Sequence, residues 1–411
     1  MHIVKSCKNR LLAGVLSFAV LLSAVPTLTL QASAAGEHTH CLCGKTHASI
    51  GDHTAAESIT FTEWTDPDKL PWDSGCYYLT KDYNLTTMWA LQSGKDITLC
   101  LNGHTIKSDN FDIDYNSVIS IQSGSKLTIV DCKGSGTVRT HKSNIPAVKV
   151  YNANASVRIF GGTYTGKDTG LYIDAGNADI YGGTFKGNAK YGIFLCRSLW
   201  PSINKTTVNL YNATIQGNGS RDYLTGSDLY YTGGGICVQS DCTLNMYNGT
   251  ISGNYGNTGG GVINMGTFNM SDGTIQTNNA KRGGGVANYG TFTMAGGNIG
   301  SNTAEYGGGV YSINDSRSTD TVFTLSNDST IQNNNASYGG GIACSNRSSN
   351  ANSIIRMTGG IVRNNTASAC GGGIFSTRSN YNNTLELSGG SIIDNKNTTT
   401  ESDCAGGGVY A

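Results

Sequence analysis

Gly283-Gly284-Gly285-Val286 recurs along this chain, and the recurrence decides the fold. Triple glycines begin at Gly233, Gly259, Gly283, Gly307, Gly339, Gly371 and Gly406, with steps of 26, 24, 24, 32, 32 and 35 residues between them. A constant minimum near two dozen with additions on top is one structural unit carrying loop insertions. A phosphate-cradling glycine loop would open a helix, and no helical pattern follows these copies.

Outward from the glycines, apolar residues pair at i, i+2. The pairs are Ile97/Leu99, Leu127/Ile129, Val157/Ile159, Ala178/Ile180, Val208/Leu210, Leu244/Met246, Phe268/Met270, Phe292/Met294, Phe323/Leu325, Ile355/Met357 and Leu385/Leu387. Period two means strands, each placing two side chains on one face. Two residues beyond each pair from Val157/Ile159 onward stands Gly, Asn or Asp, as at Gly161, Asn248, Asp272, Gly296 and Asn327. These residue types tolerate positive φ, so a sharp corner with a left-handed residue is expected there. An apolar residue follows, and three positions further come Asn188, Asn218, Asn254, Asn278, Asn302, Asn334, Asn365 and Asn395.

The expected architecture is an all-β, right-handed parallel β-helix of about eleven turns, three short strands to a turn, with an N-terminal cap. Stacking at about 4.8 Å per turn gives a rod on the order of 50 Å long. Asparagines at one corner should form a ladder, each amide bonding to the turns above and below. A β-propeller would need blades of about 40 residues or more joined by hairpins, and neither is present.

Composition agrees with a repeat rod and narrows function. Of 411 residues, 56 are Gly and only 5 Pro; 14% are charged, and formal net charge is zero. No basic stripe suggests nucleic acid, and no polybasic run suggests lipid headgroups. Residues 1–35 read as a secretory signal, with Lys5, Lys8 and Arg10 before an apolar run and Ala32-Ser33-Ala34 as the cleavage pattern. The expectation is a secreted or surface-displayed monomer with no membrane insertion after signal removal.

Residues 36–57 concentrate His38, His40, Cys41, Cys43, His47 and His53. These ligand types suit Zn²⁺, and metal binding would supply the stability that a leader poor in apolar residues lacks. Residues 58–90, with Phe61, Trp64, Trp72, Tyr77 and Tyr78, read as a cap over the open end of the sheet. Residues 91–411 read as the β-helix itself. The chain stops in mid-turn just after Gly406-Gly407-Gly408-Val409, which suggests truncation at the C-terminus. Cys100 and Cys132 fall in neighbouring turns and Cys237 and Cys242 bracket one turn; burial as small apolar residues is the plainer reading than disulfides.

The unit GGNIGSNTAEYGGGV (Gly296–Val310), with TIQTNNAKRGGGV and IVRNNTASACGGGI, resembles the repeats of chlamydial polymorphic membrane proteins. The segments HTHCLCGKTHASIGDHT, CYYLTKDYNLT, ITLCLNGHTI and LTIVDCKGSGTV are similar to secreted β-helix proteins of gut Firmicutes. The resemblance implies the fold and export, and an adhesin-like role; the same scaffold serves lyases, hydrolases and adhesins.

Two functions compete. A carbohydrate-active enzyme on a pectate-lyase-like scaffold needs clustered carboxylates with a basic partner, or paired aspartates on adjacent turns. The acidic residues stand singly, as at Asp174, Asp179, Asp272 and Asp394, so no catalytic residue is assigned. The favoured expectation is a non-catalytic, adhesin-like rod contacting glycans or partner surfaces. Insertions after the glycine-rich strand, such as those at 313–320, 344–353 and 376–383, should build a raised patch at one corner. Trp200, Tyr223, Tyr230 and Tyr231 are the candidate rings for stacking on sugars.

Overall fold

In the computed structural model the described residues are 38–42, 58–109, 117–122, 124–152, 154–196, 205–224, 233–315, 318–377, 381, 383–400, 404 and 406–411. They form a parallel β-helix. The first face stacks the strands that carry the apolar pairs, among them Asp96–Cys100, Lys126–Val130, Thr243–Met246, Thr267–Met270 and Thr291–Met294, all parallel and in register. A corner leads to the second face, with Gly249–Ser252, Thr274–Gln276 and Asn298–Gly300. The glycine-rich corner leads to a twelve-stranded face that includes Val262–Asn264, Val286–Asn288 and Val310–Asn314.

The later turns carry a further strand. Tyr255–Thr258, Asn279–Arg282, Thr303–Tyr306, Asn335–Tyr338, Thr366–Cys370 and Lys396–Asn397 make a six-stranded sheet between the asparagine and the triple glycine. Three strands per turn therefore describes only the earlier turns. Repeat length does not set this: turns of 32 and 26 residues at Thr105–Thr137 and Thr137–Thr163 lack the strand, whereas the 24-residue turn from Thr250 to Thr274 carries it.

Identical residues stack inside the rod. Phe268, Phe292 and Phe323 are fully buried, with ring centroids 4.6 and 4.9 Å apart. Ile251, Ile275, Ile299 and Ile331 form a second buried column, and Val262, Val286 and Val310 a third. Parallel in-register stacking makes such columns automatic once the repeat spacing is constant.

The asparagine ladder is built as the spacing predicts. Asn278 donates its backbone N–H and its Nδ2–H to Oδ1 of Asn302, each at 3.0 Å, and Nδ2 also donates to the carbonyl of Ile251 at 3.0 Å. The same arrangement runs from Asn188 to Asn395. Both donors and the acceptor of each amide are used in a buried corner, where an orphaned polar group would be expensive.

The other corner differs from expectation by one residue. Left-handed backbone falls at Gly162, Gly249, Gly273 and Gly297 rather than at Gly161, Asn248, Asp272 and Gly296; Asn327, with φ of 51°, is where it was expected. Asn248 and Asp272 instead accept the next residue's N–H through Oδ1, both at 2.7 Å. The polar side chain fixes the corner from outside while the following glycine takes the strained φ.

The glycine triplet has a packing explanation. A Cβ on Gly284 would lie 2.6 Å from the carbonyl oxygen of Gly308, and one on Gly285 2.6 Å from that of Gly309. Successive turns approach closely here, and only the first glycine of the triplet, Gly283, has positive φ. Stacked turns can also be cross-linked: Cys370 and Cys404 form a disulfide with Cα atoms 4.8 Å apart.

At the N-terminal end Gly75–Tyr78 stacks in register on Asp96–Cys100, so the column of the first face continues into the aromatic-rich segment. Ser58–Glu63 adds to Gly75–Tyr78, and His38–Cys41 closes the edge as an antiparallel strand.

Candidate functional site

The corner just before the asparagine ladder forms a groove along the rod. Gly187, Gly217, Gly253, Thr277 and Ser301 occupy it in successive turns, all with φ between 53° and 66°. Thr277 and Ser301 show that this corner accepts side chains at a local strain of about 1 kcal/mol. A Cβ on Gly217 would meet nothing within 4 Å. Glycine in three successive turns keeps the floor clear as well as relieving the left-handed backbone, although Thr277 and Ser301 show that the fold tolerates a side chain there. The groove holds about 590 Å³ and is lined chiefly by Thr165, Lys186, Gln216, Gly217, Gly253 and Thr277. An adjoining hollow of about 390 Å³ shares Thr277 and is flanked by Arg221 and Tyr255. Arg221 Nη2 donates to the Tyr255 hydroxyl at 2.8 Å, with the guanidinium 4.8 Å from the ring centroid.

Across the short second-face strands runs an outer aromatic column. Phe160, Tyr181, Tyr211 and Tyr247 stack with centroids 4.5, 4.6 and 5.0 Å apart. Phe160 and Tyr181 are buried, whereas Tyr247 is 45% exposed. The next places in the column are Ser271 and Ala295, so within the column, among the described residues, no ring follows Tyr247. An open aromatic face beside a polar groove can stack on a sugar ring.

At the other end of the same column, four ligand-type side chains converge. His38, His40, Cys100 and Cys132 place their ligand atoms within 4.8 Å of one another. His38 Nε2 lies 3.1 Å from His40 Nε2, 3.5 Å from Cys100 Sγ and 3.6 Å from Cys132 Sγ; the two sulfurs are 3.5 Å apart. Strand alternation puts His38 and His40 on one side. His38 stacks on Tyr78 at 4.2 Å and His40 on Phe61 at 4.5 Å. Burial pushes the Cys100 thiol up to about 12, and burial followed by the neighbouring His40 lowers the His38 pKa.

The residues singled out from sequence are distributed as follows. His38 and His40 enter this cluster, whereas Cys41 contributes its carbonyl, 2.6 Å from His40 Nδ1, and its thiol is not among the clustered ligand atoms. Cys43, His47 and His53 lie outside the described residues, as do Trp200, Tyr230, Tyr231 and residues 1–35. Tyr223 falls in the short 3-10 helix Arg221–Leu224. Cys100 and Cys132 were read as buried apolar residues; Cys100 is fully buried, but Cys132 is partly exposed. The sequence signal that could have found the outer column is the residue directly after each apolar pair: Cys100, Val130, Phe160, Tyr181, Tyr211, Tyr247.

The single acidic residues stand in different local settings. Asp272 holds its corner, Asp179 accepts from Asn209 Nδ2 at 2.8 Å, and Asp394 takes a left-handed φ of 55°. Asp174, whose carboxyl is raised by burial, is in register with Cys196. The insertions also satisfy themselves: the Asn352 N–H donates to Asp320 at 2.8 Å, and Asn346 Nδ2 to the Ala351 carbonyl at 2.9 Å. Among the described residues no helix is long and apolar enough to cross a membrane. No family model, curated protein or solved structure matched the chain.

Proposed function

We propose that this protein is an exported, adhesin-like rod that binds an extended polysaccharide along the axial groove without cleaving it. The observation that carries the reading is the glycine floor at Gly187, Gly217 and Gly253, at a corner where Thr277 and Ser301 demonstrate that side chains fit. A groove repeating every turn, at about 4.8 Å, matches a ligand that itself repeats on the scale of a sugar unit. Lys186 and Arg221 at its sides favour chains that carry carboxylates, and the open face of Tyr247 adds a stacking surface. Export is supported by the N-terminal pattern of residues 1–35, and the adhesin-like role by the resemblance of the repeats.

The test is binding of the purified protein to immobilised polygalacturonate and to neutral xylan, with Gly217→Asn as the probe. Asn is at home in left-handed backbone, as Asn333 and Asn364 show in this same corner. Gly217→Asn should therefore keep the fold and fill the groove, weakening binding at least about tenfold. Binding unaffected by Gly217→Asn, or by Lys186→Ala, would remove the groove from the reading. Ca²⁺-dependent release of unsaturated sugars would replace it with the lyase alternative.

A further inference from the structure

We infer that His38, His40, Cys100 and Cys132 form a Cys₂His₂ site for Zn²⁺ that clasps the N-terminal strand onto the first turns of the rod. The inference is independent of the polysaccharide reading.

Zn–N bonds of about 2.0–2.1 Å and Zn–S bonds of about 2.3 Å, set tetrahedrally, give edges of about 3.3 Å between nitrogens, 3.6 Å between nitrogen and sulfur, and 3.8 Å between sulfurs. The separations found are 3.1 Å between nitrogens, 3.5 and 3.6 Å from His38 to the two sulfurs, and 3.5 Å between sulfurs. Four of the six edges thus agree within about 0.3 Å, and the remaining two, from His40 to the sulfurs, lie within 4.8 Å and would close on a bound ion. Two imidazoles and two thiols are the ligand set of closed, structural zinc sites, and soft sulfur disfavours Mg²⁺ and Ca²⁺.

His40 Nδ1 faces the Cys41 carbonyl at 2.6 Å, so Nδ1 carries the proton and Nε2 turns its lone pair toward the cluster. Tyr78 and Phe61 hold the planes of the two rings by stacking. Asn102, whose Oδ1 lies 3.7 Å from Cys132 Sγ, is itself fixed by donating to the Leu79 carbonyl at 2.9 Å.

The ligands of the site come from an edge strand, from the end of Asp96–Cys100 and from the turn after Lys126–Val130. The leader strand covers the N-terminal part of the outer column, where Leu42 and Phe61 pack with Cys100, Val130 and Phe160. It pairs antiparallel with Ser58–Glu63 at the sheet edge, and its histidines stack on Tyr78 and Phe61. A metal bond between residue 40 and residue 132 closes a long loop and fixes the edge, as structural zinc does in small folds.

The experiment uses the full chain, purified with reduced thiols, stripped of metal and reloaded with Zn²⁺ or Co²⁺. One equivalent of tightly held zinc is expected, and Co²⁺ should give the visible absorption of tetrahedral thiolate coordination. His38→Ala and Cys132→Ser should each weaken metal binding at least roughly 100-fold, whereas Cys41→Ser should leave stoichiometry at one. If Cys132→Ser fails to fold, His40→Ala with the Co²⁺ spectrum carries the same discrimination. Removing metal should speed amide exchange in Ser58–Glu63 about tenfold or more. No stoichiometric metal, a spectrum unchanged by His38→Ala, or a Cys100–Cys132 disulfide in the native secreted protein would overturn the site.

Discussion

The turns from Thr243 to Cys370 and the end from His38 to Cys132 are held together by opposite means. In the later turns the asparagine, phenylalanine and glycine columns repeat one residue type, one turn apart. At the N-terminal end the first-face strands still stack in register, but what covers them does not repeat. A hairpin strand, a half-buried histidine pair, two cysteines and stacked aromatic rings assemble once, from segments up to 94 residues apart. Repetition lets each turn template the next, so stability is shared along the rod. A single terminal assembly has no neighbour to share with, and it protects an edge that would otherwise pair with other chains.

The strongest test of this contrast is Asn302→Ala, in the middle of the ladder. It removes two side-chain donor bonds and orphans the N–H and Nδ2–H of Asn278, all buried. At about 1–3 kcal/mol per orphaned buried donor, the expected loss is about 3–5 kcal/mol, measurable by urea unfolding. Asn395→Ala, at the last rung and partly exposed, should cost less than half as much. Equal losses would mean that the ladder is not a shared structure.

Gly285→Ala comes next. Its Cβ would sit 2.6 Å from the Gly309 oxygen and 2.8 Å from Ile299 Cγ2, and backbone cannot give way cheaply. About 1–3 kcal/mol is expected, with faster exchange in the turns on either side. At the other end, chelation should loosen Ser58–Glu63 while leaving Thr267–Met270 untouched; loosening of both would erase the distinction between the two regions. The smallest stability effects should come from Gly217→Asn and Tyr247→Ala, within about 1 kcal/mol of the parent, since a Cβ on Gly217 meets nothing within 4 Å and Tyr247 is the half-exposed end of its column. Their effect should appear in polysaccharide binding alone, and a large drop in melting temperature would show that the groove is structural.

The ladder was legible in the sequence because its cause is local. Asn278 and Asn302 align whenever the spacing between turns is constant, and a buried corner demands a side chain that donates and accepts. The first-face corner was legible to within one residue, because Asn, Asp and Gly share turn preferences and only the backbone decides which takes the left-handed place. The groove was not legible. Its corner holds Gly217, Gly253, Thr277, Ser301 and Asn333, which share a conformation but no chemistry. Cys100 and Cys132 were equally hidden, since each looks like one more small apolar residue in a strand or turn.

The sequence by itself determined the parallel β-helix, its repeat length and its interior columns, because these depend on period and residue type along neighbouring stretches. Only the tertiary structure decided that His38 and His40 face two cysteines of the rod, Cys100 and Cys132. That choice rests on how an edge strand lies across the first turns, a contact between segments with no sequence period in common.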